Sequence, residues 1–583
     1  MWRFLYDTDR LNRSLKLPSI SFQPDPDKTR KGHYVARARL GPIVLRYDEY
    51  PFEWIEEQYY HVLRRFQSGP FGALDGGVRL TPTPTGTDLE VFAAVTPRGV
   101  LGRLMAQALF KQMSIDKVVA QAKAFEEGFL KSEKLPPSPS ARDVSINQLE
   151  ARLKTLAAAP VEARLIPRLK ELLVEASDIE VTRIRPFELA DRWDEERYEV
   201  LRFLLHATKA GLVDLHWEIL CPHCKAPAET GKSMADIRAQ AACETCETSF
   251  RVDLANSVEA VFSVNLGIRN ARRDIYCIGG PANSPRIMGQ FRLEPGESRR
   301  EHLSSGPGLL VVRSYQAAGL VPLEVAESGP TELTVKCGAQ LSCSSARMAS
   351  GAATVHLRND LSVECLLVFE RETWRESAAT AAIVTTIQEF RDLFPEEAVA
   401  PGQEIAVGRL AVLFTDLSGS TDLYERVGDI KAFDFVQSHF QYLLKLVARH
   451  RGGVVKTMGD AIMAAFNSGL DAASAAVAMQ EDWEAFISHY NLPTAIRLKV
   501  GLHQGPTVVY NNKGAQDYFG GTVNMAARIQ AQAHGGDIVI SQTLRDDPDV
   551  RAFVEARFPH IEPFSAHLKG IAADQPLHRL ILS

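Results

Sequence analysis

A chain of 583 residues is too long for one hydrophobic core, so several domains are expected. Its 45% apolar and 24% charged residues are those of a folded globular protein, and a formal charge of −6 argues against a nucleic-acid binder. The opening MWRFLYDTDRLNRSL lacks the apolar stretch of a signal peptide, and no apolar run reaches the roughly 20 residues that span a bilayer. No membrane span is therefore expected, and the expected compartment is the cytoplasm.

Residues 1–132 begin with a short amphipathic helix and run through strand-like segments such as HYVARARLGPIVLRYDEY, VRLTPTPTG and TDLEVFAAVTP. They close on a helical pattern that sets Leu104, Phe110, Met113, Val118, Ala122, Phe125 and Phe129 near one face. The strand-to-helix order, together with PFEWIE, resembles the START-like, polyketide-cyclase-type helix-grip fold. That resemblance implies an apolar ligand between helix and sheet; a packed core without ligand is the alternative.

A proline- and serine-rich linker, KSEKLPPSPSARD, follows at 131–143. Residues 144–217 read as helices ending in helix, glycine turn and strand, a small winged-helix-like unit. It has no basic recognition-helix cluster, so it is expected to pack rather than to bind DNA.

Within 218–252, Cys221, Cys224, Cys243 and Cys246 form two C-x2-C knuckles separated by eighteen residues. Two such knuckles present four thiolates to one centre, the donor set of a zinc ribbon. Four thiolates leave no position for water, so one structural Zn2+ is expected; a redox pair or unligated thiols are the alternatives. His223, inside the first knuckle, is expected to be a neighbour rather than a ligand. The scattered Cys277, Cys337, Cys343 and Cys365 are expected as small buried apolar residues of a reducing compartment.

Residues 253–372 alternate apolar and polar between turn signals, which predicts an antiparallel β-sandwich or barrel. A linker helix is predicted within 373–404. Its Ile383, Ile387, Phe390 and Phe394 follow 4-3-4 spacing, a seam that packs either on this chain or on a twin helix in a dimer.

The last segment, 405–583, opens with the apolar strand LAVLF leading to Asp416 and a hydroxyl-rich loop before a helix. A carboxylate at a strand end beside helix N-terminal amides can hold a divalent cation while the amides hold phosphate oxygens. The strand GGVVKTM, a turn at Asp460 and the strand AIMAAF come next. After a helix and a further strand, DYFGGTVNMAARIQAQA enters a helix on which Asn524 and Arg528 lie four apart on one face.

F-T-D at Asp416, K-T-M-G-D at 456–460, and Asp517, Asn524 and Arg528 at D-x6-N-x3-R spacing resemble the catalytic domain of class III adenylate/guanylate cyclases. The resemblance implies a ferredoxin-like fold and makes Asp416 and Asp460 the ligands of two Mg2+ or Mn2+ ions per active site. It assigns Arg528 to the α-phosphate, Asn524 to the ribose, and Lys569 of HLKG to the terminal phosphates; an exposed lysine beside a turn glycine is the alternative for Lys569. Lys456 and Asp517 would choose the base. A lysine donor faces the N1 acceptor of adenine and a carboxylate faces its 6-amino group, whereas guanine meets them donor to donor and acceptor to acceptor. ATP is then the substrate, and active sites shared across a homodimer are implied.

The chain as a whole is expected to be multidomain α+β: an N-terminal helix-grip-like domain, a zinc ribbon, a central antiparallel β domain and the C-terminal cyclase-like domain, the first 400 residues regulating the last. A guanylate cyclase, a catalytically silent ligand-binding or zinc scaffold, and a zinc-ribbon transcription factor are the competing readings.

Overall fold

Alternating strands dominate the first hundred residues, and they do not close a sheet of their own. The computed structural model describes residues 1–583 except 16–18, 28–29, 41–42, 85, 101, 105, 107–114, 133–143, 223–224, 226, 244–247, 272–276, 278, 285, 372–376, 491–495, 572 and 583. In a twelve-stranded sheet, Ile20–Pro24, Tyr34–Leu40, Ile43–Glu49, Tyr59–Phe66 and Glu53–Ile55 lie side by side and continue into Ile287–Leu293, Cys365–Arg371, Gly308–Ser314, Leu320–Ala326 and Arg347–Ala349. The join is Gln290 opposite Trp54, with the Trp54 indole donating to the Ile287 carbonyl at 3.1 Å. The sequence reading divides an N-terminal sheet from a central one; the hydrogen bonds run through that division.

Helix Ile115–Ser132 lies on this sheet, burying Val118, Ala122 and Phe125 with Phe4, Tyr60 and Val62 in one core. Leu104 does not extend that face, being 61% exposed, and Phe110 and Met113 lie outside the described residues. A four-stranded sheet (Ser298–Ser305, Gly351–Asn359, Glu332–Cys337, Leu341–Cys343) completes a sandwich around Phe291, Leu303, Val312, Val335, Val355 and Phe369. The strand Val258–Val264 departs from that sandwich and pairs with Val213–Leu220, which also pairs Pro227–Gly231.

Five helices between Ile146 and Lys209 present leucines at helical spacing, Leu149, Leu153 and Leu156 on the first and Leu165, Leu169 and Leu173 on the second, to a core shared with Trp217 and Phe262. Of the four knuckle cysteines, Cys221 and Cys243 are buried in one small cluster. Cys224 and Cys246 lie outside the described residues, as does His223. Cys277, Cys337 and Cys365 are buried and Cys343 is half-buried.

The expected linker helix is two short ones, Ala381–Thr386 and Gln388–Leu393, broken at an extended Ile387 (φ −83°, ψ 133°). The run Ile-Val-Thr-Thr-Ile accounts for the break. Thr385 and Thr386 hydroxyls bond back to the Ala381 and Ala382 carbonyls, and branched side chains crowd the turn. Ile383, Ile387, Phe390 and Phe394 are all buried within this chain, so the seam packs on its own chain.

The C-terminal unit is an eight-stranded sheet ordered Gly453–Met458, Ala461–Phe466, Ile405–Ser418, Arg497–Asn512, Asp537–Ser541, Gln575–Ile581, Ile561–Ala566, with Ala515–Phe519 paired to Arg497–Asn512. In the strand Ile405–Ser418, residues 410–415 are buried on both sides. Ala411 and Leu413 share a core with Phe435 and Leu443 of helix Asp429–Arg449 and with helix Gly469–Glu481. Val412 and Phe414 join the core of the upstream helices, Trp217, Ile387 and Phe390. No described helix is long and apolar enough to cross a membrane.

Candidate active site

The hairpin Gly453–Phe466 closes with Met458 opposite Ala461, so Gly459 and Asp460 alone form the turn. Gly459 has φ +65°, a region that favours glycine, and it turns the chain tightly enough to leave Asp460 at the hairpin tip. The second arm pairs with the central strand, Phe414 opposite Met463, and the Ile462 amide donates to the Thr415 hydroxyl at 3.2 Å. Asp416 follows Thr415, and the two carboxylates meet. Burial and the charge of nearby Asp460 raise the Asp416 pKa above the ordinary carboxylate value, against the pull of Lys499.

Asp460 Oδ2 is buried without a hydrogen-bond partner. An orphaned carboxylate oxygen beside a second carboxylate is costly unless a cation joins them. Two hard oxygen donors fit Mg2+ or Mn2+, with water and phosphate oxygens completing the shell. Two residues missed by the sequence reading flank the pair. Lys499 is the cross-strand partner of Asp416, its ammonium 3.9 Å from Oδ2. His439 is wholly buried, and burial drives its pKa down to about 4 against the opposing backbone and charge of Asp460. Its fourfold spacing between Phe435 and Leu443 is the signal that could have found it.

On the first arm of the same hairpin, Lys456 donates to Asp517 Oδ2 at 2.7 Å. Asp517 sits on Ala515–Phe519, opposite Tyr510. The Tyr510 hydroxyl and Asn512 amide also donate to Oδ2, at 3.1 and 3.2 Å, and the Tyr518 amide donates to Oδ1 at 2.7 Å. Burial by itself would raise the Asp517 pKa, but Lys456, the Tyr518 amide and Tyr510 outweigh it and hold the carboxyl below its usual value. Neither Tyr510 nor Asn512 stands out in the sequence; only the hairpin register brings them to this carboxylate.

Asn524 and Arg528 are exposed on helix Gly521–Gln530, and Lys569 is exposed beyond strand Ile561–Ala566. Among the described residues no hydrogen bond or ion pair joins any of the three to Asp416 or Asp460. The chain thus brings together one acidic pair and one lysine–aspartate pair, with three polar side chains left in solvent.

Residues 403–549 match the family described as the adenylate and guanylate cyclase catalytic domain. The C-terminal unit carries a cyclase catalytic domain. The matched range includes Asp416, Lys456, Asp460, Asp517, Asn524 and Arg528 but not Lys569. The cyclase domain is similar to receptor-type adenylate cyclase B of Leishmania donovani (30% identical over 169 residues) and to putative adenylate cyclase 3 of Rhizobium meliloti strain 1021 (33% over 139). It is also similar to receptor-type guanylate cyclase gcy-8 of Caenorhabditis elegans (28% over 148). Each match covers 23% of this chain, and 13%, 22% and 13% of the respective relative, so the chain spans less than a quarter of each of their lengths.

Among solved structures, the adenylyl cyclase CyaB from P. aeruginosa is 19% identical, covering 31% of this chain and 97% of its own, with a TM-score of 0.28. The guanylyl cyclase Cya2 is 20% identical, covering 31% and 95%, with a TM-score of 0.28. Upstream of the cyclase domain, residues 146–274 match a family of unknown function, DUF5939.

Proposed function

We propose that this chain is a cytoplasmic adenylate cyclase that converts ATP to 3′,5′-cyclic AMP and pyrophosphate. The observation that carries the reading is the Lys456–Asp517 contact of 2.7 Å on the hairpin whose tip holds Asp460 against Asp416. Asp416 and Asp460 would hold two Mg2+ or Mn2+ ions. Bound there, the ions supply Lewis-acid activation of the ribose 3′ hydroxyl and neutralise charge on the departing pyrophosphate.

Lys456 donates to adenine N1 and Asp517 accepts from the 6-amino group, each exchanging its present partner for the base. Asn524 orients the ribose, Arg528 meets the charge that grows on the α-phosphate oxygens, and Lys569 holds the terminal phosphates. All three are exposed and unconnected to the acidic pair, which supports a homodimer whose second copy completes each site. The upstream residues regulate this dimer, with one structural Zn2+ held by Cys221, Cys224, Cys243 and Cys246. Burial of Cys221 and Cys243 in one cluster supports the zinc assignment.

The test is product analysis of the full chain supplied with Mn2+ and either ATP or GTP. Cyclic AMP in large excess is expected. Cyclic GMP in equal or greater yield would replace the reading with a guanylate cyclase, and no product with either nucleotide would leave a silent scaffold.

A further inference from the structure

The short segment Thr380–Phe394 joins the upstream unit to the cyclase domain, and it grips two particular strands. On its upstream side the Ala260 amide donates to Ala379 and the Ala382 amide to Leu254, while Phe390 packs edge-on against Trp217. On its other side it reaches Gly453–Met458, the terminal strand of the sheet, and Ala515–Phe519, which among the described residues pairs only with Arg497–Asn512. An edge strand has backbone groups without a ladder partner. Here Gln388 supplies partners: its backbone N–H donates to the Gly452 carbonyl at 3.2 Å, and its side-chain Oε1 accepts from the Val454 amide at 2.8 Å. Asp392 fixes the orientation of that side chain by accepting from Nε2 at 2.8 Å.

Arg391 serves the second strand. Its Nη1 donates to the Gln516 carbonyl at 3.3 Å, and its guanidinium stacks over the Tyr518 ring, 5.7 Å from the centroid. These are the two neighbours of Asp517. The fit is close, because a Cβ on Gly453 would come within 2.8 Å of the Thr386 carbonyl and 3.0 Å of Arg391 Cδ. Arg391 also keeps Nε and Nη2 buried with no hydrogen-bond partner among the described residues. A buried, half-satisfied guanidinium costs stability, and such a departure from good packing is characteristic of a functional position.

Lys456 lies two residues beyond the Gln388 contact and Asp517 lies between the two Arg391 contacts. We infer that Gln388 and Arg391 are positioning residues for base selection: they fix the spacing of the strands that carry Lys456 and Asp517, so the packing of the upstream unit sets how well adenine is told from guanine. Neither residue touches the nucleotide. The inference rests on the ATP reading above. It adds that selectivity belongs to the strap together with the pair, and that a shift of the upstream unit changes substrate choice as well as rate.

The experiment compares the full chain with its Arg391→Met and Arg391→Lys forms, titrating N-methylanthraniloyl-ATP and -GTP by fluorescence and measuring kcat/KM for both nucleotides. Arg391→Met should lower the ATP-to-GTP affinity ratio about tenfold, mainly through KM, since loss of hydrogen-bond alignment weakens discrimination before chemistry. Arg391→Lys, which keeps a donor for the Gln516 carbonyl but loses the planar stack on Tyr518, should recover part of the ratio, to about threefold below the parent. Should Arg391→Met fail to fold, Gln388→Met carries the same test on the other strand. A selective parent whose ratio survives the substitution, or which loses both nucleotides equally, overturns the inference alone. A parent that binds both analogues equally overturns the ATP reading and the inference with it.

Discussion

Lys456→Glu reverses one charge in a 2.7 Å contact, and its cost can be worked out from the surroundings. Two carboxylates about 3 Å apart at an effective permittivity of about 20 repel by roughly 5 kcal/mol. The Lys456 side chain is 36% exposed while that of Asp517 is 5% exposed, so a glutamate at 456 can turn into water and the partner cannot. That relief leaves a net loss of about 1–3 kcal/mol. Asp517→Cys carries a different penalty, because the Tyr510 hydroxyl, the Asn512 amide and the Tyr518 amide lose their acceptor, again about 1–3 kcal/mol. The two substitutions together remove the repulsion, so the double variant should be more stable than the sum of the singles by about 1–3 kcal/mol. Urea midpoints at constant slope measure this coupling, and initial rates with ATP and GTP measure the chemistry. Lys456→Glu should lose turnover of ATP, and the double variant should turn towards GTP, since a glutamate now accepts from guanine N1 and no carboxylate opposes the 6-oxo group. Additive singles would refute the contact, and undiminished ATP preference in the double variant would refute its role in reading the base.

Asp460→Ala should abolish turnover of either nucleotide, and mixing it with Arg528→Ala chains should restore part of the activity if each site draws on two copies; no recovery on mixing counts against the shared site. Protein prepared without chelator should hold about one zinc per chain by metal analysis, and Cys224→Ser should remove it, because the thiolates and the small unit they organise form together. His503 is half-buried beside Ser541, and its desolvation lowers its pKa to about 4. The unfolded chain, titrating near 6.5, therefore binds the extra proton first, so stability should fall by up to about 3 kcal/mol as pH drops from 6.5 to 4. His503→Gln, which keeps a polar partner for Ser541, should flatten that slope in pH-dependent urea unfolding.

What the sequence made legible follows from the range of the interactions. Lys456 and Asp460 share one hairpin, so a single short motif announces both. Asp517, Asn524 and Arg528 are likewise carried by one short strand and the helix that follows it. Lys499 reaches Asp416 only through the register of two strands more than eighty residues apart, and that register shifts at an irregularity between Val407 and Leu410, which no local pattern reveals. Apolar spacing correctly marks Ile383, Ile387, Phe390 and Phe394 as buried, but spacing says nothing of continuity, and the threonine back-bonds break the helix between them. In the N-terminal third the alternation of strands is plain, while the pairing of Trp54 with Gln290 has no local signature at all.

That last pairing bears on how the chain is made. Glu53–Ile55 finds one neighbour almost at once in Tyr59–Phe66, but the Phe52 carbonyl waits for Gln290, 238 residues later. At about 5–20 residues per second, a ribosome delivers that partner roughly 12–50 s afterwards. For that interval Phe52, Trp54 and Ile55, which end at 1–3% exposure, stand along an open sheet edge on a nascent chain. Synthesis of this protein therefore has a vulnerable period in which edge-to-edge association competes with waiting. A chaperone that shields strands during translation should raise the yield of the full chain more than that of a fragment beginning after the sheet.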